Sequence, residues 1–147
     1  DGMVRERPFQ VGGRRLEVTA VSTGVPHVIA FVEDDPGQLP WRALGRAIET
    51  HESFPKRTNV EFVRVLDRGR ALAKVWERGS GETLACGTGV TAAALITARV
   101  YDWPSPVTVL TQGGERLQVG FCWSGEDFKD VTLTGPAEVS FTGQIEI

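Results

Sequence analysis

The chain has 147 residues, of which 41% are hydrophobic, and its formal net charge is -3. This length predicts a single domain over residues 1–147, and this hydrophobic content excludes a wholly disordered chain. The basic residues form no block of the kind that binds nucleic acid, and no apolar run approaches the ~20 residues that a membrane helix needs. The charged first ten residues do not form a secretory signal pattern. Two cysteines are too few for a disulfide framework, which favours a reduced, cytoplasmic setting.

The hydrophobic pattern predicts strands on both sides of a first helix. Residues 15–22 and 27–33 are predicted strands joined by a turn that contains Gly24 and Pro26. Residues 41–52 are a predicted helix because their apolar side chains recur at helical spacing. Further strands are predicted at residues 60–66, 71–76, 107–111, 116–123, 130–134 and 138–147, and the first two of these form a hairpin.

Residues 90–98 form a different element, which is uncharged and apolar on nearly every side. A helix of this composition is buried rather than amphipathic. Because strands precede and follow it, we predict an α+β domain in which a curved, barrel-like, mixed or antiparallel sheet wraps around this one central helix.

The segment from Trp76 to Gly89 leaves a predicted strand, crosses a glycine-rich loop and enters the central helix. Glycines let a backbone approach a ligand closely, and the free N–H groups at a helix start bind anions such as carboxylates. Cys86 stands at the same helix start, where the thiolate form of a cysteine is favoured. The spacing therefore suits removal of an α-proton from an amino acid by Cys86, while Gly87, Thr88 and Gly89 hold the carboxylate.

Simpler interpretations of this segment also exist. A cysteine before a buried helix is often only a small core residue, so the loop pattern alone supports packing and chemistry equally. The loop lacks the third glycine of a dinucleotide fingerprint, and no Gly-Lys-Ser/Thr sequence of a P-loop occurs. Two separated histidines without a cysteine pair do not give the spacing of a metal site.

The residues around Cys86 closely resemble the second-thiol motif of the diaminopimelate epimerase family, in the run Glu77-Arg78-Gly79-x-Gly81-Glu82-Thr83-x-Ala85-Cys86-Gly87-Thr88-Gly89. Shorter pieces resemble other parts of the family in the same order, namely Gly24-x-Pro26-His27, Phe54-Pro55, Thr58-Asn59-Val60, Gly113-Gly114 and Thr134-Gly135-Pro136-Ala137. The resemblance extends over residues 18–143, which is nearly the whole chain.

The resemblance implies a fold of two similar halves, each with strands around a central helix, of which this chain is similar to the C-terminal half. It implies a cofactor-independent epimerase that interconverts LL- and meso-diaminopimelate in the lysine and cell-wall precursor pathway. One thiol from each half would act on opposite faces of the α-carbon. The implied catalytic residues are Cys86 as an acid–base thiol, with Glu77 and His27 beside the thiols.

The same resemblance implies substrate-binding roles for four residues. Asn59 and Arg78 would bind the distal amino-carboxylate end, and Gly87 and Thr88 would hold the reacting carboxylate. Without the family, an asparagine before a strand is more often a turn or cap residue, and a lone histidine is more often a satisfied or surface residue.

Several residues depart from the family pattern or stand outside it. Cys122 lies in an alternating strand without a glycine loop or helix start, so we interpret it as structural. Val25 stands where the family has a substrate-binding asparagine, and a valine side chain cannot hydrogen-bond. The family's other thiol motif, of the Cys-Gly-Asn-Gly type, has no counterpart in this chain. Two alternatives therefore stay open: a related isomerase of the same fold with another amino-acid substrate, or a non-catalytic single-half binding module.

The predicted partners are a small-molecule amino-acid substrate and an N-terminal half that carries the second thiol. A homodimer is left open, and neither nucleic acid nor a membrane is an expected partner. We expect the isolated chain to be inactive without the other half.

Overall fold

The computed structural model describes residues 4–147, with side chains from Arg7 onward. Nine strands and two helices occur in this part of the chain, and a 3-10 turn at Pro36–Gln38 precedes the first helix. In chain order they are β1 Val4–Val11, β2 Arg14–Ser22, β3 Pro26–Phe31, α1 Trp41–Glu49, β4 Asn59–Asp67, β5 Arg70–Glu77, β6 Gly81–Thr83, α2 Gly87–Tyr101, β7 Val107–Leu110, β8 Arg116–Ser124 and β9 Asp127–Thr134. The predicted α+β class is confirmed.

The strands form one mixed sheet in the order β1-β2-β3-β4-β5-β7-β8-β9, with β6 paired to β5 beside this path. The β3–β4 and β5–β7 pairs are parallel, and the other neighbours are antiparallel. Parallel neighbours need a crossover, and each crossover here contains one helix, α1 after β3 and α2 after β5. The described strands make an open sheet with β1 and β9 at its two ends.

Helix α2 lies against one face of the sheet and is the buried helix that the sequence predicts. Residues 89–98 are buried except for Thr91, which is half-buried. Their neighbours include Ile29 on β3, Val63 on β4 and Val109 on β7. Because α2 has no polar stripe, strands of the sheet cover it from several sides. Its first turn follows β5 and β6 in the chain and lies near the place where β5 ends.

Helix α1 covers the opposite face and forms a second core, which the prediction of one central helix did not include. Leu44 and Ile48 of α1 pack with Phe62 of β4. The helix approaches the sheet closely at Gly45, where an added Cβ would lie 2.7 Å from Cγ of Trp76. Strands β3 and β4 are therefore buried on both faces, since successive side chains point to opposite sides of a strand.

The predicted strand at residues 138–147 is wrong. Residues 135–147 have no regular secondary structure, although their apolar and polar side chains alternate as in a strand. The apolar side chains are exposed, and Phe141 is 84% exposed. No strand of residues 4–134 pairs with this segment, so its alternating pattern has no sheet edge to complete.

Other elements differ in their ends. Helix α1 ends at Glu49 rather than at residue 52, because Thr50 turns the chain and its side chain donates to the Arg46 carbonyl. Helix α2 is longer than predicted and stops at Asp102, which is left-handed with φ of 52°. Strands β1 and β6 were not predicted. Neither helix of the described residues is long and apolar enough to cross a membrane.

Candidate functional site

Cys86 is the residue that immediately precedes helix α2, as the sequence predicts. Its backbone is extended, with φ of -136°, and its carbonyl accepts the first hydrogen bond of the helix from the Val90 N–H at 2.8 Å. The thiol is half-buried and lies 3.3 Å from the hydroxyl oxygen of Thr88. The sulfur is thus held at the opening of α2 rather than packed into the core.

The first turn of α2 exposes backbone N–H groups beside the thiol. The first residues of a helix have no intrahelical acceptor for their N–H groups. Within the described residues, no acceptor is found for the N–H of Gly87, Thr88 or Gly89. Gly87 and Thr88 are both exposed, so this turn can receive an anion from solvent.

The loop that follows β5 carries Glu77 and Arg78, and its backbone is fastened by Asn59. The Asn59 side-chain oxygen accepts from the Arg78 N–H at 2.7 Å, and its nitrogen donates to the Pro26 carbonyl at 3.3 Å. The Glu77 carboxylate accepts from the Thr83 hydroxyl at 2.7 Å. Asn59 therefore joins the starts of β3 and β4 to the Arg78 loop.

The Arg78 side chain remains at the surface. It is exposed, and its guanidinium donates to the Lys56 carbonyl at 3.2 Å. No carboxylate of residues 7–147 pairs with it. Its charge is available to an anionic ligand.

Glu49, which the sequence reasoning missed, holds the same loop from the end of α1. Its buried carboxylate accepts from the Trp76 indole N–H at 2.8 Å and from the Gly79 N–H at 3.0 Å, and it lies 3.4 Å from the Arg57 guanidinium. Burial alone would raise the pKa of Glu49, but the bonds from Trp76 and Gly79 and the charge of Arg57 outweigh it and lower that pKa. The carboxylate stays ionised and fixes the turn after Arg78.

His27 lies behind the start of α2 and pairs with Glu61, a second residue that the sequence reasoning missed. The His27 Nδ1 is 2.7 Å from Oε1 of Glu61, and both side chains are fully buried. Glu61 also touches the start of α2, since a Cβ added to Gly89 would lie 2.5 Å from its Oε1 and 3.5 Å from Cβ of Cys86. A chain of contacts therefore runs from His27 through Glu61 and Gly89 to Cys86.

The predicted site residues lie near the place where β3 and β4 begin and β5 ends. They are not all joined by direct hydrogen bonds. Asn59 and Arg78 are bonded to each other, as are Cys86 and Thr88. No hydrogen bond joins Cys86 to His27 or Glu77 among the described residues. The missed residue Glu61 carried one signal in the sequence, which is a lone charge inside the otherwise apolar run 60–63.

Glu82 and Cys122 lie outside the candidate site. The Glu82 carboxylate pairs with Arg42 of α1 and accepts from the Gln112 side chain, so it ties the glycine loop to two neighbouring segments. Cys122 is exposed on β8, opposite Lys129 of β9. The described residues contain no cluster of three His, Cys, Asp or Glu side chains that could hold a metal ion.

Comparisons with known proteins assign the family. The family model described as diaminopimelate epimerase matches residues 19–139. The chain belongs to the diaminopimelate epimerase family. It is 45% identical over 139 residues to the diaminopimelate epimerase of Desulforapulum autotrophicum, covering 95% of this chain and 47% of that protein. It is 46% identical over 141 residues to the enzyme of that name from Pseudomonas entomophila, covering 95% and 49%.

The chain thus spans about half the length of these relatives. Among solved structures, a phenazine biosynthesis PhzC/PhzF protein from Clostridium difficile aligns over 69% of this chain and 37% of its own, with a TM-score of 0.47 and 19% identity. The family predicted from the motif at Cys86 is confirmed.

Proposed function

We propose that this chain supplies one half of a cofactor-independent epimerase site that interconverts LL- and meso-diaminopimelate. Cys86 is one of its two acid–base thiols. The observation that carries the proposal is the position of Cys86, half-buried at the opening of α2 beside exposed and unpaired N–H groups. This position lies inside the segment that matches the family.

The chemistry at Cys86 is proton transfer at the α-carbon. The thiolate takes the α-proton and becomes a thiol, and the electron pair of the broken C–H bond stays on carbon next to the carboxylate. A thiol on the opposite face then gives its proton to that carbon, so the configuration is inverted. N–H groups at the start of α2 stabilise the negative charge that develops on the carboxylate, through hydrogen bonds and the helix dipole.

The remaining predicted residues fit roles in binding and proton handling. Arg78 is exposed and free of carboxylate partners in the described chain, which suits it to the distal carboxylate of the substrate. Asn59 holds the backbone of Arg78 and retains one amide hydrogen for a ligand. Glu77 is oriented by Thr83 and lies close enough to affect the charge of Glu61.

The second thiol comes from an N-terminal half that covers the Cys86 opening. Apolar side chains at this opening support such a partner. Leu84 is 69% exposed two residues before Cys86, and the exposed Leu133 side chain would lie 3.3 Å from a Cβ added to Gly87. Covering these side chains removes apolar surface from water and would also exclude water from the thiolate. Thiols that must stay reduced also favour the cytoplasm as the compartment.

Exchange of the α-hydrogen in heavy water tests the proposal. The probe is LL-diaminopimelate, added to this chain alone and to a polypeptide in which this chain follows its N-terminal half. We expect deuterium incorporation with inversion only when both halves are present, because a positioned acid or base contributes about 10²–10⁴-fold. Cys86→Ala should abolish inversion, whereas the matched variant Cys122→Ala should retain it.

Three outcomes contradict the proposal in different ways. Inversion by the isolated chain would remove the need for a second half. Full activity of Cys86→Ala would remove the role of its thiol. Activity of the two-half protein on another amino acid, but not on diaminopimelate, would favour the related-isomerase alternative. That result would direct attention to Val25, which is half-buried in the bend before β3.

A further inference from the structure

Glu61 is a fully buried carboxyl group in the middle of the sheet. It occupies β4 opposite Ile29 of the parallel strand β3, and its neighbours Val60 and Phe62 face the other core. An isolated buried carboxylate is costly, so a glutamate in this position needs compensating contacts or a retained proton. Packing alone would be served better by an apolar residue.

Glu61 contacts two residues of the candidate site or next to it, His27 and Gly89. Its Oε1 lies 2.7 Å from the His27 Nδ1 and against the backbone of Gly89 in the first turn of α2. Its Oε2 and the His27 Nε2 have no hydrogen-bond partner in the described chain. His27 also lies in the wall of an open cleft between residues 53–58 and the start of β9.

His27 and Glu77 both affect the pKa of Glu61. These are the two polar residues that the family resemblance places beside the thiols. Burial raises the pKa of Glu61, and the contact with His27 opposes that effect. The charge of Glu77 raises the same pKa further. The pKa of Glu61 therefore depends on burial and on both of these neighbours.

We propose that Glu61 is a positioning residue that holds His27 in the Nδ1–H tautomer, with the Nε2 lone pair left free to accept a proton. The inference rests on the proposed function for its catalytic meaning. In such a carboxylate–imidazole pair, the carboxylate fixes the ring orientation and the tautomer, and the opposite nitrogen handles the proton.

The second histidine provides an internal control for this tautomer. The Nδ1 of His51 accepts a hydrogen bond from the Ser53 N–H at 3.1 Å, so a neutral His51 carries its proton on Nε2. His27, whose Nδ1 faces a carboxylate, is expected to be the opposite tautomer. The chain contains only these two histidines, so their ring signals can be assigned with a His51→Gln variant.

Two-bond proton–nitrogen NMR correlations of the 147-residue chain test the proposal near neutral pH. We expect His27 to show a protonated Nδ1 and an unprotonated Nε2, and His51 to show the reverse. In Glu61→Leu, which removes both side-chain oxygens that could accept from His27, the His27 nitrogens should shift to averaged values that report both tautomers. The Ser53 hydroxyl oxygen also lies 3.0 Å from the His51 Nδ1, so a Ser53→Ala control should change the His51 signals and leave those of His27 in place.

Activity in the two-half protein gives a second measurement. Glu61→Leu should lower kcat about 10- to 100-fold, part of what a positioned acid–base group supplies, with KM changed less than about threefold. An Nε2–H tautomer of His27 in the unmodified chain would overturn the proposal, even if the variant does not fold. An unchanged tautomer in folded Glu61→Leu would also overturn it. Absence of epimerase activity would count against the proposed function alone, because the NMR signals do not depend on turnover.

Discussion

Replacing Glu49 with glutamine should destabilise the fold by about 2–4 kcal/mol at neutral pH. The two N–H groups that contact Glu49 donate to different oxygens, Trp76 to Oε2 and Gly79 to Oε1. Glutamine offers one oxygen and one NH2 group, so one of these donors must face another donor. An unpaired buried donor costs about 1–3 kcal/mol, and the loss of charge at the remaining bond costs about 1 kcal/mol more. The Arg57 pair adds little because its guanidinium is exposed.

The effect should depend on pH in a defined direction. The pKa of Glu49 in the folded chain lies below its ordinary value of 4.5. A carboxylate of this kind stabilises the fold above its unfolded pKa, and the stabilisation is lost as pH falls through its folded pKa. Glutamine does not titrate. The difference in unfolding free energy between the two proteins should therefore be full at about pH 7 and smaller at about pH 3.5.

Urea denaturation followed by tryptophan fluorescence measures both quantities. The control is Glu52→Gln, which changes an exposed glutamate without a hydrogen bond in the described chain and should stay within about 0.5 kcal/mol of the parent. If Glu49→Gln costs no more than Glu52→Gln at neutral pH, the buried contacts of Glu49 do not hold the loop. A cost that is the same at both pH values would refute the charged state that we assign to it.

Two further predictions concern the start of α2. Gly89→Ala should lower the unfolding free energy by about 1–3 kcal/mol, because its Cβ would lie 2.5 Å from the buried Oε1 of Glu61. Gly87→Ala is the control, since its Cβ meets only an exposed leucine side chain, and an equal loss in both variants would contradict the clash. Cys86 should react with iodoacetamide faster than the more exposed Cys122, because Cys86 lies directly before helix α2, beside N–H groups without an acceptor in the described chain. Peptide mapping of the labelled chain decides this, and equal or reversed rates would remove the argument for a reactive Cys86.

The fold was predictable where one local pattern has only one structural solution. An uncharged helix such as α2 must be buried, and a cysteine directly before it must lie at the helix start. The alternating pattern of residues 138–147 also satisfies the local rule for a strand. A strand needs a neighbour for its backbone hydrogen bonds, however, and no local rule supplies one. The alternating pattern of residues 138–147 was therefore not enough to predict a strand, because the pattern does not show whether a partner strand is available.

The candidate-site residues that lie in short motifs could be named from the sequence, whether exposed like Arg78 or buried like Asn59 and His27. Cys86, Arg78 and Asn59 belong to short motifs whose chemistry can be recognised in sequence. Glu49 and Glu61 instead take their meaning from partners that are distant in the chain, 27 to 30 residues away for Glu49 and 34 for Glu61. A glutamate near the end of an amphipathic helix normally faces solvent, and only packing of α1 over Trp76 reverses that expectation.

The candidate site combines polar groups that are held by buried side chains with an apolar opening at its surface. Glu49 and Asn59 accept hydrogen bonds from backbone N–H groups of the Arg78 loop, and Glu61 contacts the Nδ1 of His27, so contacts within this chain hold these groups in position. Groups that are held in place before the substrate arrives need little reorganisation when charge develops during the reaction. The exposed Leu84 side chain at the Cys86 opening offers apolar surface instead. In the proposed two-half enzyme, the second half would bind to that apolar surface, while contacts within this chain already set the geometry of the polar groups.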